Sequence, residues 1–90
     1  MKVTVKRWIA DQKYNEMKAY HLYPFFECVE NEDGEKYYAD TVNDTVTFIV
    51  NEVVKETAKA IQFSIPCETE GARAHAPYMM WMPKSQIVAM

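Results

Sequence analysis

Val46 to Gln86 is the longest apolar portion of the chain, and the prolines and turns inside it leave few folds open. Val46, Phe48, Val50 and Val54 recur on one face, while Ile49 and Val53 add apolar area to the other. A segment apolar on both faces predicts a strand over 46–54 that is central, or that lies where a small barrel closes. Lys55-Glu56-Thr57-Ala58-Lys59 is the connection, and Ile61, Phe63 and Ile65 alternate strictly in a second arm over 60–65 that Pro66 ends. Tyr78–Met82 predicts a further strand, Pro83 stops it, and 86–89 adds a final edge. In this arrangement Trp81 is expected to be buried against the strand over 46–54. The rest of the sheet has to assemble around these elements.

The N-terminal half supplies the remaining parts. Lys2 to Ile9 alternates, with Val3, Val5 and Ile9 on one side and Lys2, Thr4, Lys6 and Trp8 on the other, the period of a half-buried strand. Trp8 then lies beside Lys6, packed under a neighbouring loop or, alternatively, serving as a stacking platform. A short helix is expected over 11–19, with Asp11 as its cap and Ala10, Tyr14, Met17 and His21 at helical spacing. Barely two turns long, it needs tertiary packing to persist. Aromatic-rich arms over 25–30 and 35–40 flank Asn31-Glu32-Asp33-Gly34, a hairpin in which Gly34 takes a positive φ. Pro24 marks a strand start or an edge. The expected fold is mostly β: a twisted antiparallel sheet or small barrel of five to six strands with one short helix. The alternative is an α+β sheet with that helix on one face.

At 90 residues the chain has room for one core, a single domain over 1–90. Apolar residues make up 49% of it, which excludes a disordered chain. No signal peptide or membrane span is expected, since no apolar run reaches about 18 residues. Two cysteines, Cys28 and Cys67, suit reduced thiols in a cytoplasm. The net charge of −3 is uneven: Lys2, Lys6, Arg7, Lys13 and Lys18 make the first segment basic, and the middle from Glu27 to Glu52 is acidic. Proteins that hold duplex nucleic acid by phosphate neutralisation are normally basic overall, so non-specific duplex binding is not expected, while a local basic patch beside aromatics stays open.

Catalytic patterns are missing. Gly34 and Gly71 are the only glycines, too few for a phosphate-cradling loop, and no nucleophile elbow is present. His21, Cys28, Cys67 and His75 lack metal-ligand spacing, and the acidic tip lacks a calcium loop's alternating oxygens. No metal, no cofactor and no enzymatic activity are therefore expected. Aromatics and methionines dominate instead. Of Met79, Met80 and Met82, two are expected in the core. Tyrosine and methionine suit protein interfaces, and the loop over 66–77 sets Arg73 and His75 among alanines. Arg73, His75, Tyr78 at the loop's exit, and Tyr37 and Tyr38 on the hairpin are the candidate contacts for a protein partner. The alternative is single-stranded nucleic acid on an OB-like barrel, with Trp8 and Trp81 for stacking and Lys55, Lys59 and Lys84 for phosphates.

Lys55-Glu56-Thr57-Ala58-Lys59-Ala60 followed by Trp81-Met82-Pro83-Lys84-Ser85-Gln86 resembles a pattern in small uncharacterised proteins of bacteria and their phages. The resemblance covers roughly the last 40 residues and interrupts itself at the loop over 66–77. It implies a phage or mobile-element setting rather than a mechanism. The acidic balance and the tyrosine- and methionine-rich surface favour a non-enzymatic protein-binding module, an accessory or inhibitor that docks on a host enzyme.

Overall fold

Where the alternation of the N-terminal segment breaks, a helix begins. The computed structural model describes residues 1–30, 32–69 and 77–90. In it β1 spans Lys2–Lys6 and runs directly into α1, Arg7–Lys18. The expectation of a strand to Ile9 and a helix from Asp11 is thus corrected by about four residues. Ile9 follows Val5 by four and Val3 by six, so its burial satisfies both periods and the sequence pattern alone does not separate them. Asp11 is not the cap. Lys6 occupies that position without a side-chain hydrogen bond, and the Arg7 amide donates to the Asp44 carbonyl at 2.9 Å. Ile9, Ala10 and Met17 form the buried face, so tertiary contact holds this short helix. His21 lies beyond the helix at φ 60°, where its amide bonds the Lys18 carbonyl.

The strands that follow are short. β2 is Leu22–Pro24, β3 Val29–Glu30, β4 Lys36–Tyr37, β5 Ala39–Asp40 and β6 Thr45–Ile49. β7 is Glu52–Glu56, β8 Ala60–Ile65, β9 Cys67–Thr69, β10 Tyr78–Pro83 and β11 Ile87–Ala89, with a single 3₁₀ turn at Lys84–Gln86. The strand expected over 46–54 is therefore two strands. Between them the Val50 amide donates to Met1 (2.9 Å) and the Asn51 amide to Ser64 (2.8 Å), so the chain changes partner at that point. Val54 falls at a bulge and is exposed, off the core face it was expected to share.

One four-stranded sheet runs β11-β1-β6-β5 and one three-stranded sheet β10-β8-β7, all antiparallel. Only Val50 and Asn51 separate β6 from β7, and only the 3₁₀ turn separates β10 from β11. The pairings consequently close into a ring: β1 to β6, on into β7, across to β8 and β10, on into β11, and back to β1. Val3, Val5, Phe48, Phe63, Ile65 and Met82 fill it. Met80 and Met82 are core residues and Met79 is exposed, as expected for two of the three.

Two smaller sheets flank the ring. β3 and β4 form the hairpin around Gly34, whose φ is 81° as the turn requires. Its arms are shorter than expected: Phe25 and Glu27 bond the backbone of Ile49 and Thr47 instead. β2 pairs with β9, so the connection after Pro66 is not structureless at its start, and Cys67 is buried. No helix among the described residues is long and apolar enough to cross a membrane.

Candidate functional site

The residues selected for nucleic acid fall into separate places. Trp81 is 37% exposed on β10, opposite Gln62 of β8; it is not buried against the 46–54 segment, which is a correction. Its neighbours Met80 and Met82 point inward, and period-two alternation then turns Trp81 outward. Lys55 opposes the same Gln62 from β7, so Lys55, Gln62 and Trp81 make one cross-strand row on the outer face. Lys84 is committed elsewhere: its ammonium bonds the Glu56 carboxylate at 2.6 Å. Its amide donates to the Lys59 carbonyl at 2.9 Å, while Thr57 closes the β7–β8 turn through the Ala60 amide and carbonyl. Trp8, on the helix rather than on a strand, donates its Nε1 proton to Gln86 at 2.9 Å. The two segments that carry the resemblance are thus bonded to each other.

The residues selected for a protein partner also divide. Arg73 and His75 lie outside the described residues. Tyr78 opposes Ile65 and packs, half-buried, against the core. Burial, with Glu16 and Tyr20 nearby, raises its phenol above the ordinary value. Burial likewise raises the Cys67 thiol, partly offset by the Tyr78 amide. Tyr37 is 45% exposed and its hydroxyl donates to Glu35, an interaction that raises its pKa. Tyr38 is 46% exposed and contacts Phe26, with ring centroids 5.6 Å apart.

That last contact leads to a cluster the sequence reading did not assemble. Phe26 stands 5.9 Å from Tyr14 and 5.1 Å from Phe48, whose ring is fully buried. Tyr14 in turn lies 6.3 Å from Tyr23. Together Asp11, Tyr14, Phe26 and Tyr38 line a cavity of about 240 Å³. Asp11 and Tyr14 are three residues apart on α1 and share its face. That spacing was the available signal. Phe26 joins them because it bridges Phe48 in β6, a pairing between segments more than twenty residues apart that no local pattern announces.

No protein-family profile, no curated protein and no solved structure matches this chain.

Proposed function

We propose that this chain is a non-enzymatic, cytoplasmic protein-binding module of phage or mobile-element type, an accessory or inhibitor that docks on a host enzyme. The observation that carries the reading is the β3–β4 hairpin. All four of its strand residues are exposed, yet they include Val29 and Tyr37, and Tyr38 follows directly. A two-stranded sheet with no buried face gains little from apolar side chains, whereas a contact surface does. Arg73 and His75 are proposed as further contacts because arginine forks onto carboxylates and both sit among small residues. The setting rests on the resemblance of the 55–60 and 81–86 segments. Pull-down from host lysate is the test, with wild type and Val29→Ser/Tyr37→Ser compared at two salt concentrations. Wild type should recover a discrete partner that the variant loses. Equal recovery removes the hairpin as the contact, and no recovery by wild type removes the reading.

A second reading, single-stranded nucleic acid, draws on the Lys55–Gln62–Trp81 row. Against it, Glu56 already neutralises Lys84 and the net charge is −3. Oligonucleotide binding that weakens steeply with salt, and is lost in Lys55→Glu, would favour it.

A further inference from the structure

We propose that the cavity lined by Asp11, Tyr14, Phe26 and Tyr38 is a cation site for a methylated ammonium group, a function distinct from the partner contact of Val29 and Tyr37, which Tyr38 adjoins. Of the described residues that line it, three are aromatic and the fourth is a carboxylate. Aromatic faces carry negative potential, and a carboxylate adds a full negative charge, so the cavity favours a positive occupant over a neutral one. Its walls are suited to enclosing one. Adjacent rings are tilted by 42° and 50°, and tilted rings open a wedge that parallel stacking would close. Phe26, the middle ring, is held from behind by the buried Phe48 and by its backbone bridge to it, so the wedge is preorganised.

Size and hydrogen bonding narrow the chemistry. About 240 Å³ is below the ~300–1,000 Å³ typical of pockets for drug-sized ligands, which fits a headgroup or a side-chain tip. A primary ammonium brings three donors that ring faces do not satisfy, and it would leave water at a cost. A quaternary ammonium brings none, and a tertiary one brings a single donor that Asp11 can accept. Asp11 already pairs with Arg7 on the adjacent turn of the helix, but at 3.9 Å, and Arg7 is shared with Asp44 at 4.0 Å, so the carboxylate keeps room for a second cation.

The experiment is an NMR titration of the full chain with choline and with its neutral isostere 3,3-dimethyl-1-butanol. Choline should shift the Asp11, Tyr14 and Tyr38 signals saturably and bind about tenfold more tightly than the isostere, as expected for a partly desolvated cation–π site. Tyr38→Leu, which keeps apolar bulk at an exposed position, should lose at least tenfold, and Asp11→Asn should weaken choline and leave the isostere unchanged. A trimethyl-lysine peptide that binds more tightly than choline assigns the site to a modified side chain, and one that binds no more tightly assigns it to free headgroups. Equal affinity for the neutral isostere, equal affinity for an unmodified lysine peptide, or no saturable shift overturns the proposal. Pull-down results with the hairpin variant do not bear on it, because Val29 and Tyr37 do not line the cavity.

Discussion

At one corner of the ring, polar residues answer one another; along the helix, aromatic residues leave a space between them. Lys84 takes Glu56 with its side chain and Lys59 with its backbone, and Thr57 closes its own turn. The cluster of Tyr14, Phe26 and Tyr38 is closed less tightly: its rings meet at angles, and Asp11, held only by a 3.9 Å pairing with Arg7, lines a cavity. Lysines beside a tryptophan look like a binding surface in sequence, and here one of the three already holds a carboxylate. Tyrosines and phenylalanines scattered over 14–38 look like ordinary packing, and here they gather. A charged residue is a candidate ligand only after its internal partners are known, and an aromatic is a core residue only after its far side is known.

Three measurements break or sharpen this contrast. The largest effect is expected at Phe48, the fully buried ring behind Phe26. Phe48→Ala should cost about 3–5 kcal/mol, seen as a lowered denaturant midpoint, because a cavity opens under the cluster and in the core at once. A loss below about 1 kcal/mol would show that the aromatic cluster is independent of the ring's interior. The corner should respond far less. Glu56→Gln removes a bridge whose side chains are 57% and 34% exposed, and about 0.2–1 kcal/mol is the expected loss. A larger loss would make the corner a structural keystone and the resembling segments a stability motif.

The smallest effect is at Asp40, a third place where charge is satisfied locally. Its carboxylate accepts from the Asn43 side chain (2.8 Å) and from the Asn43 and Val42 amides, and these bonds, the Asn43 side chain foremost, hold its pKa below the ordinary 3.8. A depressed folded pKa contributes stability at pH above the ordinary value, and that contribution is lost as pH falls through the folded one. Asp40→Asn should therefore flatten the stability profile below about pH 4 and leave it unchanged in shape at neutral pH. Identical acid limbs would show that the turn bonds are lost in solution.

The parts that local pattern dictates were legible in the sequence. Strict alternation at Ile61, Phe63 and Ile65 marked β8 over Ala60–Ile65, Pro83 marked the end of β10, and Gly34 marked its turn. Partner choice was not legible. Val46 to Val54 reads as one apolar run, yet the switch at Val50 and Asn51 depends on two distant partners, the carbonyls of Met1 and Ser64. Trp81 faces outward because its two neighbours are the ones the core accepts, a fact of register rather than of hydrophobicity. The cavity was least legible, since it needs Phe26 to meet both the helix and β6.

Closing the ring through Thr4 opposite Ala89 also sets a timetable for folding. The β7–β8 hairpin joins neighbours across a three-residue turn and can form on the microsecond scale of isolated hairpins. The pairing of β1 with β11 must wait for segments some eighty residues apart, and long-range β pairing places overall folding in the ~millisecond-to-second range. Until β11 docks, β1 keeps an open edge and the ring stays unclosed. That interval is when the chain is most exposed to association with a second copy of itself.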